Sequence, residues 1–217
     1  VLQTSSELQK KQKRPTYKQL DPEELKFETN NSSYEFDQKT GSLKSVTLKK
    51  FLEKDKKTPH QLLKSPLLAQ ALLNDQTNKT YNGYEAQRTD NGIIFSRKEG
   101  NWLLKHEYII QDNYKLRLIF TWKNESTRPQ ALNSTVLFQE AMSTKKTEVS
   151  LFKPNFASDP SVLLSVNGEN TKKLASEICE ETISNTNPKA LQANVDFLGF
   201  DNHYFLKAFI PSAKSSS

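Results

Sequence analysis

The sequence predicts an all-β fold, an extended antiparallel two-sheet β-sandwich with one or two short helices, on three observations. Apolar residues come in short runs at a period of two, turn residues punctuate those runs, and no helical pattern recurs between them. Strands spaced in this way pair antiparallel and stack face to face, whereas a parallel sheet needs a crossover helix after each strand. A chain of 217 residues can bury a sizeable core without a metal or disulfide staple. Aromatic residues make up 10%, enough to fill such a core and more than disordered chains usually carry.

Residues 1–20 show no sustained apolar period and read as a flexible basic linker, with Lys10, Lys11, Lys13, Arg14 and Lys18 against Glu7 alone. The predicted β domain spans residues 21–211, and residues 212–217 read as a second short linker. Leu25–Thr29 and Tyr34–Asp37 are expected strands, joined by a turn at Asn30-Asn31-Ser32. The Lys39-Thr40-Gly41 turn leads into a strand over Leu43–Phe51, whose apolar residues are Leu43, Val46, Leu48 and Phe51. Residues 53–59 form a charged loop. Residues 60–73 hold the best helical pattern of the first half, interrupted by Pro66, so two short helical turns are expected there. Residues 74–91 are polar and read as a long loop around Gly83.

The middle of the chain alternates more clearly. Ile93–Ser96 follows the Asn91-Gly92 turn, and Trp102–Ile110 follows the Glu99-Gly100-Asn101 turn. In the next strand Tyr114, Leu116, Leu118, Phe120 and Trp122 fall on one face, with Lys115, Arg117, Ile119 and Thr121 on the other. Lys123–Pro129 is a turn cluster, and strands are expected at Leu132–Phe138, Ser161–Val166 and Phe205–Ile210. Residues 171–183 read as the one regular helix, with Leu174, Ala175 and Ile178 on a face.

Composition narrows the function classes. The one cysteine, Cys179, excludes an internal disulfide and zinc-ribbon scaffolds, and reads as a small, semi-buried side chain. The net charge of +6 is carried almost wholly by lysine. Lysine is a solvated point charge, whereas nucleic-acid binders favour arginine interleaved with aromatics, so no nucleic-acid partner is expected. Mean hydropathy is -0.74, and no window approaches the roughly 18 apolar residues of a membrane span. Val1 onward lacks the apolar region of a signal peptide. His60, His106 and His203 lie outside metal-ligand spacing of one another and of Cys179. Phosphate-binding, dinucleotide-binding and hydrolase motifs do not occur. No metal, cofactor or catalytic activity is therefore expected.

Three segments carry a family resemblance. Residues 197–211 read Phe-Leu-Gly-Phe-Asp-Asn-His-Tyr-Phe-Leu-Lys-Ala-Phe-Ile-Pro. That segment resembles the end of the large periplasmic domain of the bacterial membrane-protein insertase family YidC. Gly41-Ser42-Leu43-Lys44-Ser45-Val46-Thr47-Leu48 is similar to that family's early turn and strand, with one glycine where the family often has two. Residues 102–130, with Tyr108, Ile109, Tyr114, Asn124-Glu125-Ser126 and Pro129, are similar to its paired central strands. Residues 139–196 match poorly.

The resemblance implies a supersandwich similar to those of sugar mutarotases, held between a first membrane helix and a membrane core on the periplasmic side of the inner membrane. It implies translocase subunits and nascent membrane proteins as partners. The basic arm would then descend from the first helix, where each lysine near anionic headgroups adds about 1 kcal/mol of attraction. Phe205, Leu206, Phe209 and Ile210 are the candidate contact residues, and plain core packing is the more ordinary reading of all four. A carbohydrate-binding or mutarotase-like module is the alternative. A mutarotase needs a His and a carboxylate converging in a cleft, with His106 and His203 the only strand-borne candidates, and a sugar-binding module would instead use an exposed ring such as Trp102 or Tyr84.

Overall fold

The computed structural model describes residues 17–53, 55–63, 70–73, 83–111, 113–130, 134–137, 160–174, 177, 195–201 and 205–211. The chain divides into two compact units, Val1–Gln139 and Glu140–Ser217.

The first unit holds two four-stranded antiparallel sheets and a two-stranded one. The first sheet runs in the order β1 (Lys26–Glu28), β2 (Ser32–Asp37), β3 (Ser42–Leu52), β4 (Pro59–Leu63). Its turns are built by side chains that substitute for missing backbone partners. Thr29 Oγ1 accepts from the amides of Asn31 and Ser32, closing the β1–β2 turn. Asp37 accepts from the Lys39 amide and the Thr40 hydroxyl, and the Gly41 amide donates to the Asp37 carbonyl. A bulge between Glu35 and Phe36 then shifts the β2–β3 register, so that both Ser42 and Leu43 are buried.

The β5 strand (Gln70–Leu73) pairs antiparallel with β10 (Ser134–Leu137). The other large sheet runs β6 (Glu85–Thr89), β7 (Gly92–Glu99), β8 (Trp102–Ile110), β9 (Leu116–Asn124). Its β7–β8 and β8–β9 registers are continuous, which lines up inward rows such as Phe95, His106 and Phe120. Gly92 is required where β7 begins, because a Cβ there would stand 1.9 Å from the Tyr108 carbonyl oxygen.

The two large sheets of this unit meet through aromatic rings, which makes it a β-sandwich. Phe36 of β2 packs against Tyr108 at 4.9 Å and Phe95 at 6.2 Å between ring centroids. Phe27 stands edge-on to Phe36, and the Arg88 guanidinium caps the Phe27 ring at 3.8 Å while donating to the Glu24 and Lys26 carbonyls. Tyr34, Leu43, Leu48, Ile93 and Leu104 complete the buried apolar interior.

The second unit contributes one four-stranded antiparallel sheet in the order β12 (Glu169–Leu174), β11 (Ser161–Val166), β13 (Val195–Asp201), β14 (Leu206–Phe209). Half-buried apolar side chains stand on both of its faces, among them Val162, Leu163, Leu198 and Phe200.

The described parts of the first expected helix are strands, and so is the start of the second. His60–Leu63 belongs to β4 and Gln70–Leu73 to β5; Pro66 between them lies outside the described residues. Thr171–Leu174 closes β12, paired residue for residue with β11. Only Glu177 of the remaining stretch is described; it is helical, and its carboxylate accepts from the Leu174 amide at 2.9 Å, as an N-terminal helix cap does. Residues 85–89, expected within a loop, form β6.

Candidate functional site

The predicted contact residues lie on and beside β14, the outermost strand of its sheet among the described residues. The β13–β14 register sets Leu198 opposite Phe209 and Asp201 opposite Leu206. Alternation then divides the four residues between two faces. Phe205 and Phe209 share the half-buried face, where Phe209 meets Phe200 edge-on at 6.2 Å. Leu206 and Ile210 share the other and keep 55% and 77% of their surface exposed. Leu206 lies directly over Gly199, where an added Cβ would stand 2.9 Å from its Cδ1. The two phenylalanines are thus half-buried within the sheet, and Leu206 and Ile210 are exposed.

A buried polar cluster occupies the middle of the first unit's sandwich. Gly41, at φ +63°, turns its carbonyl inward, and its place is tight, since a Cβ there would stand 2.9 Å from the Tyr84 ring. That one carbonyl accepts from His106 Nδ1 and from the Tyr108 hydroxyl, each at 3.1 Å. A carbonyl can only accept, so Nδ1 carries the imidazole hydrogen and Nε2 is the bare nitrogen. Nε2 is buried with no hydrogen-bond partner. Protonating His106 would place a charge and an unmatched donor in the core. Burial accordingly pushes its pKa down to about 4, the nearby Arg97 charge adds to the fall, and the Gly41 bond opposes it. Burial raises the Tyr108 hydroxyl pKa, with Tyr84 contributing.

Gln38 secures the edge of this cluster. Its side-chain amide donates to the Tyr84 carbonyl at 2.9 Å and the Lys18 carbonyl at 2.7 Å, and its Oε1 accepts from the Leu20 amide at 2.9 Å. Arg97 is buried against the Tyr84 ring at 4.9 Å and bonds Glu99 at 3.0 Å.

Two of the four residues named for the mutarotase-like or sugar-binding alternative are buried. Tyr84 is buried, so it offers no platform to a sugar. His106 is sealed, and its partner is a carbonyl rather than a carboxylate, so it cannot relay protons to a substrate. Trp102 is half-buried. His203 and Cys179 lie outside the described residues. His60 pairs with Glu53 at 3.0 Å beside the β3–β4 hairpin. Among the described residues no group of three or more His, Cys, Asp or Glu side chains converges to hold a metal. None of the described helices is long and apolar enough to cross a membrane.

One surface feature departs from the sequence expectation. Tyr114, expected on the inner face of its strand, instead sits in the hairpin tip before β9, exposed and at φ +64°. The signal was present in Asp112-Asn113-Tyr114, since Asn readily enters turns.

No curated protein matches the chain. A family model described as the YidC periplasmic domain matches residues 24–217, from just before β1 through β14. By a match of that extent, the chain belongs to the YidC periplasmic domain family, domains associated with a membrane insertase on the periplasmic side of the membrane.

Proposed function

We propose that this domain is a non-catalytic docking and spacing module at the outer face of the bacterial inner membrane, assisting insertion and folding of membrane proteins. Its partners are subunits of the translocation machinery, gripped through β14. The reading rests on one observation: Leu206 and Ile210 stand exposed on and just after β14, the last described strand of its sheet. Exposed apolar side chains at a sheet margin suit an added strand or a partner helix, with backbone pairing giving affinity and side-chain pockets giving choice. Phe205 and Phe209 would hold the strand in place from the opposite face. Nascent membrane segments share the chemistry of such a partner and are the other occupant to test.

A photoreactive phenylalanine analogue at Leu206 or Ile210 of the intact insertase tests this. Cross-links to a translocase subunit are expected, and they should disappear when Leu206→Asp and Ile210→Asp are introduced at the companion position. Cross-links to nascent chains alone would replace the partner, and none at all would refute docking through β14. Deleting residues 30–195 from the intact protein tests the accessory role: arrest of insertion for all substrates would show more than a docking module.

A further inference from the structure

An exposed patch on the first unit has a different character from β14. The end of β3 emerges from the sandwich, so that Phe51 and Leu52 are 43% and 51% exposed. Across from them the β8–β9 hairpin tip presents Tyr114, 43% exposed, its ring 6.2 Å from that of Phe51. Exposed lysines neighbour these residues in the chain. Lys50 and Lys115 are exposed next to Phe51 and Tyr114 in the chain, and Lys56 and Lys57 are exposed in the tight hairpin that continues from Leu52. That hairpin is fixed by the Glu53 amide donating to Thr58 and the Lys56 amide to Glu53. Among the described residues, the acidic groups of this corner are already engaged: Glu53 by His60, and Asp55 by the Thr58 hydroxyl and the amides of Lys57 and Thr58.

Tyr114 adds an independent indication. It and Asn113 are consecutive left-handed residues, at φ +64° and +60°. Asn tolerates that conformation, and glycine would be the unstrained choice after it, whereas a bulky side chain there is strained. The hairpin thus holds an aromatic ring outward at a position where the fold alone would favour glycine. Strain kept in an exposed ring points to a use for the ring.

We propose that this corner is a lipid-contact site, in which Phe51, Leu52 and Tyr114 enter the headgroup boundary while Lys50, Lys56, Lys57 and Lys115 meet anionic phospholipid. Exposed aromatic and aliphatic side chains with exposed lysines beside them in the chain match the two layers of such a surface, apolar below and negatively charged above. The proposal uses the family's placement beside a membrane and is independent of docking through β14; cross-linking at Leu206 can fail while vesicle binding holds.

The test is flotation of the whole chain with vesicles of phosphatidylglycerol and phosphatidylethanolamine, against vesicles of phosphatidylcholine. Binding to the anionic vesicles that weakens with salt is expected. Tyr114→Gly relieves the left-handed strain and so keeps the fold; combined with Phe51→Ser it should weaken binding about tenfold, since the basic arm is retained. A Tyr114→Trp protein should show added fluorescence that lipids brominated in the acyl chain quench. Absence of binding, undiminished binding by the double variant, or no quenching beyond that of the parent would each overturn the proposal. So would a concentration-dependent dimer in sedimentation velocity that Tyr114→Gly abolishes, which would assign the patch to a second copy.

Discussion

Replacing His106 by leucine should reverse the stability order of variant and wild type between neutral and mildly acidic pH. At pH 7.5 the variant loses the bond from Nδ1 to the Gly41 carbonyl, about 1 kcal/mol, and ring contacts with Tyr84 and Phe120 at 5.1 and 4.9 Å, about 1 kcal/mol more. It also removes a bare nitrogen from an apolar site, which returns about 1 kcal/mol. The Gly41 carbonyl keeps the Tyr108 hydroxyl as donor, so it is not orphaned. The variant should therefore be about 1 kcal/mol less stable at pH 7.5. The acid limb follows from the depressed pKa. Unfolded, His106 takes up a proton below about pH 6.5; folded, it resists until about pH 4. The folded state thus has its full advantage above pH 6.5 and loses about 1.4 kcal/mol per pH unit as pH falls through that window. From neutral pH to pH 5 the wild type loses about 2 kcal/mol at this residue, and the leucine variant loses none. The carboxylates titrate in both proteins and cancel in the difference. Urea unfolding followed by tryptophan fluorescence measures it, because the two tryptophans, Trp102 and Trp122, both lie in the first unit. A gap between the two proteins that stays constant within about 0.5 kcal/mol from pH 7.5 to 5 would refute the buried-neutral account.

Gly92→Ala should cost about 3 kcal/mol or more, roughly 10 °C in Tm, because the Tyr108 carbonyl is backbone and cannot move without breaking the β7–β8 ladder; a scanning melt decides it. Gln38→Ala removes three side-chain hydrogen bonds, for a loss of about 2–3 kcal/mol. Hydrogen exchange should show the Leu20 amide losing protection in that variant. Lys44→Ala should change stability by no more than about 0.5 kcal/mol, since its pair with Glu35 is exposed. The Glu35 carboxylate, held low chiefly by its hydrogen bond from Lys44, should then titrate at higher pH in an NMR series.

Strands that bury one face were readable from sequence, because a buried face writes itself as alternation. Tyr34–Asp37, Leu43–Phe51, Trp102–Ile110 and the body of β9 show it. Strands held mainly by backbone pairing were not. Glu85–Thr89 and Glu169–Leu174 are polar edge strands whose side chains carry little periodic signal, so the first read as loop and the second in part as helix. Residues 60–73 misled for the opposite reason: leucine clusters fit either period, and only pairing with β3 and β10 decides for strand. The Gly41–His106 contact joins residues 65 apart in the chain, a distance no local pattern spans. Tyr84 looked like a surface ring because its flanks are polar, yet its burial is set by Gly41 of the β2–β3 turn and Arg97 of β7. Leu206 and Ile210 could be placed on a strand, but which of its faces stays exposed depends on β13.

The two margins of the second unit's described sheet are unlike. At β12, Glu169, Lys172 and Lys173 line the outer strand, and Lys172 reaches Asp201 at 3.4 Å; desolvating such a row to seat another backbone is unfavourable. At β14 the outward residues are Leu206, Ala208 and Ile210. If β14 seats a guest segment as proposed, the charged row of β12 disfavours the same event at the other described margin, so the two margins would not recruit alike.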